Sequence, residues 1–236
     1  MKYLQALLNS AGFITVVPLP WFEDVPWSMA FAMFPVVGLL LGLTLCLLGF
    51  LPHPLAPAAV VLAWVVITGA FHLDGLADSF DALSLGGGRE ERLSVMKDPR
   101  VGAFGTVSVA LVLVLKLWFA AHLSPLKLVL PPVLGRLSLL LVAAFSPPAK
   151  SEGLGAMVKS SLTVPCAAFA LLFSLLVSAF FGVPGLVCFA FCVVFCYFFS
   201  RMWMGKIGGF TGDVLGAACE ITETVVMAIL TLGGTP

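Results

Sequence analysis

Charged side chains are absent from two long stretches of the chain: the 49 residues between Asp24 and Asp74, and the 41 between Lys159 and Arg201. A membrane-crossing helix needs about 20 apolar residues, so each stretch holds two. Each also breaks near its middle, at Phe50-Leu51-Pro52-His53-Pro54 and at Gly182-Val183-Pro184-Gly185. Pro and Gly at such points predict tight turns between helices. Runs such as 36–48 do not alternate apolar with polar residues as strands of a membrane β-barrel do, so helices are the expected elements. The apolar segments predict membrane helices at roughly 28–50, 55–73, 101–121, 126–145, 163–181, 184–200 and 214–232. In the first 17 residues Leu4, Leu7, Leu8 and Ala11 recur at helical spacing, which predicts a short helix lying against the membrane. Asn9 and Ser10 interrupt its apolar face and no small-residue cleavage site follows, so a cleaved signal peptide is not expected. The expected fold class is all-α: a polytopic transmembrane helical bundle of about seven membrane helices plus a short N-terminal interfacial helix, forming one integral-membrane domain over residues 1–236.

Composition agrees. Charged residues make up 10% of the chain and hydrophobic residues 61%, with a mean hydropathy of +1.12. An ordinary soluble domain carries about 25% charge, so a soluble enzyme, a disordered chain and a disulfide scaffold are all excluded. Twelve basic residues balance twelve acidic ones, which gives no sign of a nucleic-acid partner. The basic residues are unevenly placed. With the N-terminus inside, the inner segments hold Lys2, Arg89, Arg92, Lys97, Arg100, Lys150, Lys159, Arg201 and Lys206, and the outer segments hold only Lys127. That asymmetry obeys the positive-inside rule. Lys116 and Arg136 fall within helices. Arg136 is expected to face a carboxylate or a polar cavity, and Lys116 either to do the same or to snorkel. Cys188, Cys192 and Cys196 repeat every four residues, which reads either as a small-residue packing stripe or as a soft-metal site.

With so few charges, their positions point to chemistry. Asp74, Asp78 and Asp81 follow His72 at spacings that place them on one helix face. Carboxylates that close repel unless a cation lies between them, and a hard divalent ion such as Mg²⁺ prefers such oxygens. The three aspartates are the expected metal ligands; a solvated helix end is the plainer alternative. His72 is either a general base that deprotonates a hydroxyl or a helix-end residue bonded to backbone. Gly208, Gly209, Thr211, Gly212 and Asp213 precede the last helix and form either an anion-binding nest, with Lys206 adding a charge, or a flexible loop. Glu220 and Glu223 lie two to three turns into that helix, where ionisable residues are costly and usually functional; with Arg136 and Lys206 they are expected to contact substrate. Lys97, Asp98 and Arg100 belong to a basic inner loop that either contacts phosphates or is an ordinary inner loop. A carboxylate metal site, a basic loop and a glycine nest at one membrane face suit transfer of a phosphoryl-type group from a nucleotide-activated donor.

At these residues the sequence resembles the cobalamin synthase (adenosylcobinamide-GDP ribazoletransferase) family. Four pieces occur in order: Phe13-Ile14-Thr15 with Pro18-Leu19-Pro20; Phe71-His72-Leu73-Asp74-Gly75-Leu76-Ala77-Asp78 with Asp81; Met96-Lys97-Asp98 with Arg100-Val101-Gly102-Ala103-Phe104-Gly105; and Gly208-Gly209 with Thr211 through Ala217, Glu220 and Glu223. The resemblance implies one integral-membrane transferase of the cell inner membrane, with a cytoplasmic active site and N-terminus. Its substrates would be adenosylcobinamide-GDP and α-ribazole or its 5′-phosphate, with GMP released and Mg²⁺ required. It also implies Asp74, Asp78 and Asp81 as metal ligands, with Lys97, Asp98, Arg100 and the 208–213 segment contacting substrate. A homo-oligomer, or a complex with other corrinoid-pathway enzymes, is left open. The chain departs from the family where Val16 stands in place of a frequent Arg, and at Phe80, Ala82 and Pro99.

Two other classes compete. CDP-alcohol phosphotransferases also set an Asp-Gly pattern and further aspartates on membrane helices, but their Ala-Arg continuation is absent after Asp74-Gly75. A cation-coupled transporter would suit Glu220 and Glu223, but the chain has no internal repeat and its polar groups crowd one face. Nucleotide release on turnover separates the transporter from both enzymes.

Overall fold

A computed structural model describes residues 1–233. Twelve helices follow in order: α1 (Lys2–Ile14), α2 (Trp27–Ala32), α3 (Phe34–Gly49), α4 (Leu55–Thr68), α5 (Phe71–Ser84), α6 (Arg89–Val95), α7 (Ala103–His122), α8 (Leu130–Phe145, entered through a 3-10 turn at Pro125–Val129), α9 (Leu154–Ser161), α10 (Val164–Phe180), α11 (Gly182–Ile207) and α12 (Gly212–Leu232). An apolar helix lies in each of the seven predicted intervals. By length and composition four can cross a membrane (α7, the 3-10 turn with α8, α11 and α12), and six if the bent pairs α4–α5 and α9–α10 each count as one span. Helix α3 is apolar but has 16 residues; the α2 turn ahead of it is separated at Met33, so the predicted 28–50 helix is two pieces.

Helix α8 is the axis of the bundle. Fourteen of its residues are buried, and α3, α10, α11 and α12 all pack on it. Closest approach is made at Gly38 and Gly42 of α3. A Cβ at Gly38 would lie 2.8 Å from the Val133 Cα, and one at Gly42 2.8 Å from the Val129 Cα. Small residues four apart are how helices without a hydrophobic driving force between them gain van der Waals contact. Outer faces carry the opposite character: Leu111, Val114 and Trp118 on α7, and Val194 and Phe198 on α11, are exposed, as a lipid-facing surface requires. The three-cysteine stripe of α11 is fully buried, with Cys188 against the Val226 carbonyl and Cys192 and Cys196 against carbonyls of α8. That is the packing alternative.

The predicted turns lie at 50–54 and at Phe181–Gly182, where Gly182 has φ +64°. These turns, the 3-10 turn and the end of α12 mark one end of the bundle: Gly49 packs on Pro125 and Leu128, and Lys127 reaches the Leu230 carbonyl. The opposite end gathers the polar residues. One break was not expected. The predicted 55–73 helix stops at Gly69 (φ +61°) and Ala70 (φ +58°), and α5 leaves at 85° to α4. Two successive left-handed residues end α4 and redirect the chain, which lays α5 along α7 and α12.

Candidate active site

The α5–α12 crossing assembles the site, and glycine permits it from both sides. A Cβ at Gly75 would stand 2.8 Å from the Asp213 carbonyl oxygen and 2.9 Å from its Cα; one at Gly216 would stand 3.2 Å from the His72 Cα. Asp74 and Asp78, one turn apart on α5, are thereby brought within electrostatic reach of Asp213 at the start of α12. Thr211 caps α12, accepting from the Val214 N–H and donating its hydroxyl to Asp213 Oδ2 at 3.1 Å. Among the described residues neither Asp74 nor Asp78 pairs with a basic side chain.

The expected trio of metal ligands is corrected at its third member. Asp81 is buried. Its oxygens accept from the Gly102 N–H at 2.6 Å and the Gly105 N–H at 2.8 Å, so it satisfies the free N–H groups at the N-terminus of α7 and complements the helix dipole. Among the described residues no three His, Cys, Asp or Glu side chains converge into a ready-made metal cage. Mg²⁺ does not need one: it is usually held by one or two carboxylates, with water and substrate phosphates completing its shell. Asp74 and Asp78 have that donor chemistry. If Asp81 serves α7, Asp81→Asn will lower the unfolding midpoint by the equivalent of about 1–2 kcal/mol, read by thermal unfolding in detergent, and the folded variant will still turn over. Loss of turnover at unchanged midpoint would restore it to the metal site.

Three adjoining recesses lie at this end. A basic groove of about 510 Å³ has Arg89, Lys97 and Lys150 in its walls. Lys150 also lines a pocket of about 240 Å³ with Thr211, Gly212 and Asp213. Gly212 and Asp213 in turn line a largely apolar cavity of about 250 Å³ that includes His72. Arg89 holds this region together, donating from Nε to the Ile207 carbonyl and from Nη2 to the Ala149 carbonyl.

A family model described as cobalamin-5-phosphate synthase matches residues 6–231. The chain belongs to that family. Relatives named adenosylcobinamide-GDP ribazoletransferase include one from Geotalea daltonii, 36% identical with 98% of this chain and 99% of the relative covered. Others are from Pseudomonas entomophila, 40% identical over 97% and 96%, and from a Roseiflexus species, 36% identical over 93% and 87%. No solved structure matches the chain.

Several residues singled out in this cobalamin-5-phosphate synthase family member stand where their sequence positions did not reveal. Gly208 and Gly209 do not form an open nest. The Gly208 N–H bonds the Met204 carbonyl, and Phe210 exchanges backbone hydrogen bonds with the Pro147–Ala149 segment; of the predicted nest residues Thr211, Gly212 and Asp213 line the recesses, and Gly208 and Gly209 do not. Asp98 and Arg100 are bonded to each other (2.6 and 2.9 Å), which holds the Asp98 carboxyl down at about 2; of that trio only Lys97 lines the groove. Arg92 is buried, donating to the Ala82 and Leu85 carbonyls to close the end of α5. Glu220 and Glu223, expected to contact substrate, are instead committed to ion pairs. Lys116 Nζ bonds Glu220 at 2.7 Å and Glu223 at 2.5 Å, and Arg136 bonds Glu223. Lys116 also lies 4.2 Å from the centre of the Trp64 ring. Arg136 thus meets a carboxylate, as its place in a membrane helix demands. Lys150 was the residue missed; its signal is the only basic side chain in the Pro147–Gly153 segment.

Proposed function

We propose that this protein is an adenosylcobinamide-GDP ribazoletransferase. A ribose hydroxyl of α-ribazole, or of its 5′-phosphate, attacks the phosphorus that carries cobinamide. The new O–P bond forms as the bridging P–O bond breaks, GMP leaves with that electron pair, and the hydroxyl proton passes to a carboxylate. Its enzyme class and family agree with the relatives above. The observation that carries the reading is that the three recesses adjoin: Lys150 lines the first and second, and Gly212 and Asp213 line the second and third.

The recesses and the α5 carboxylates meet different parts of the reaction. Lys97 and Lys150 supply positive charge for the nucleotide diphosphate of the donor, while Arg89 is paired with Glu90 in the same groove. Asp74 and Asp78 would hold Mg²⁺, which when bound neutralises diphosphate charge and stabilises the leaving phosphate. Asp213, between the diphosphate side and the apolar cavity, takes the proton of the attacking hydroxyl. The site faces the cytoplasm of a cell-membrane enzyme, because Arg89, Lys97, Lys150, Arg201 and Lys206 lie at its end of the bundle and Lys127 at the other. Among the described residues this geometry gives the CDP-alcohol and transporter alternatives no feature of their own.

Lys150→Met tests the assignment of the donor side. It is expected to raise KM for adenosylcobinamide-GDP roughly tenfold or more, the scale of a lost charge-assisted phosphate contact, and to leave KM for ribazole 5′-phosphate unchanged. The reverse pattern, or no change in either, contradicts it.

A further inference from the structure

The cavity beyond Asp213 has walls of unusual chemistry for a site next to a diphosphate. It lies among α1, α3, α5, α8, α9 and α12, with Phe13, Phe34 and Phe71 around it. Helix α12 contributes Gly212 and Gly216, so no side chain projects from those positions. Its polar groups are His72 and Asp213. His72 is buried and lines the cavity, while its Nδ1 is closed off from it. A ligand with mainly apolar edges suits these walls, whereas one carrying several exocyclic polar groups would leave them unpaired against phenylalanine.

From this geometry we infer that the cavity receives the bicyclic aromatic base of the attacking nucleoside, with the His72 ring as part of the wall that the base packs against. The inference rests on the proposed transferase reaction. Ribazole carries a dimethylbenzimidazole, a flat base with one free ring nitrogen and otherwise apolar edges. Those properties match three aromatic rings and a lining whose only polar side chains are His72 and Asp213. Guanine, with its amino and carbonyl groups, does not match them, so the guanosine of the donor is excluded from this cavity and directed to the basic groove. With the base seated there, the ribose lies toward Asp213 and the carboxylates. The cavity therefore decides which nucleosides attack, and His72 is a binding residue for the nucleoside rather than the group that takes its proton.

The test uses the full-length protein in nanodiscs, with adenosylcobinamide-GDP as donor and a series of nucleoside 5′-phosphates carrying dimethylbenzimidazole, unsubstituted benzimidazole, imidazole or a purine. The wild-type protein is expected to prefer the benzimidazoles over the purine by roughly a hundredfold in kcat/KM. His72→Gln should raise KM for ribazole 5′-phosphate roughly tenfold or more with little change in kcat. Val158→Phe, which places a ring in the cavity wall, should shift preference toward the imidazole nucleotide while KM for the donor stays fixed. If Val158→Phe does not fold, Leu154→Phe at the exposed rim makes the same measurement. An active wild type with no preference among bases, or folded variants with unchanged nucleoside KM and preference, overturns the cavity assignment alone. A His72→Gln enzyme that loses kcat at unchanged nucleoside KM overturns it in favour of a general base. A wild type that releases no GMP with any nucleoside overturns the transferase reading, and the cavity assignment with it.

Discussion

Asp78→Asn and Asp74→Asn will each lower turnover by roughly a thousandfold, the scale set by removal of a group that stabilises charge at the reacting centre, without lowering the unfolding midpoint measured in EDTA. The two effects have one cause. Asp74, Asp78 and Asp213 are held within range of one another by the Gly75 contact, with no basic side chain bonded to Asp74 or Asp78 among the described residues. Like charges so placed destabilise the metal-free fold, and removing one relieves the repulsion while removing a donor to the cation. Ligand linkage supplies a second readout. Anything that binds the native state raises its midpoint, so Mg²⁺ should raise the midpoint of the wild-type protein and not that of Asp78→Asn. GMP release and thermal unfolding, each with Mg²⁺ and with EDTA, check both. Near-normal rates in the two variants would remove these carboxylates from the chemistry. A midpoint that falls in EDTA would assign them a structural role.

Glu223→Gln should be the most destabilising single change at the ion-pair cluster. Glu223 is fully buried and answers two cations, Lys116 at 2.5 Å and Arg136. With Glu220 the four side chains sum to zero charge. Removing one carboxylate leaves a buried guanidinium uncompensated among apolar helices, a loss of about 3–5 kcal/mol. Pairing Glu223→Gln with Arg136→Met restores neutrality, because Lys116 keeps Glu220, and most of the loss should be recovered. A double-mutant cycle of unfolding midpoints in detergent measures that coupling. Glu220 and Glu223 lie seven and ten residues beyond Asp213, roughly 10–15 Å along the helix, so the neutral double variant should retain turnover per folded molecule. Folded single variants with an unchanged midpoint and no activity would return both glutamates to the substrate.

Much of the fold was legible because charge is so costly in a bilayer. Uncharged stretches located the helices, and the Pro and Gly breaks at 50–54 and 182–185 located two turns. The same cost predicted that Arg136 would find a carboxylate. Relations between distant segments were not legible. Helical spacing puts Asp81 on the face of Asp74 and Asp78 but says nothing of the α7 N-terminus that arrives from more than twenty residues away and takes its oxygens. Spacing likewise places Glu220 and Glu223 on neighbouring faces of α12, while Lys116, 104 and 107 residues distant, is what decides their role. The glycines at 208 and 209 looked open because the segment at Pro147 that pairs with Phe210 cannot be inferred from either sequence alone. The α4–α5 bend turned on Gly69 and on Ala70, whose left-handed backbone an alanine rarely adopts.

The most direct measurement is made on the unmodified protein in nanodiscs. Adenosylcobinamide-GDP is supplied with and without ribazole 5′-phosphate, with Mg²⁺ or EDTA, and nucleotides and corrinoids are separated by chromatography. The structure and family predict GMP and a cobalamin 5′-phosphate in equal amounts, only when nucleoside and Mg²⁺ are both present. Folded protein that yields neither product would contradict the transferase reaction; GMP released without the nucleoside would contradict the attack by its hydroxyl.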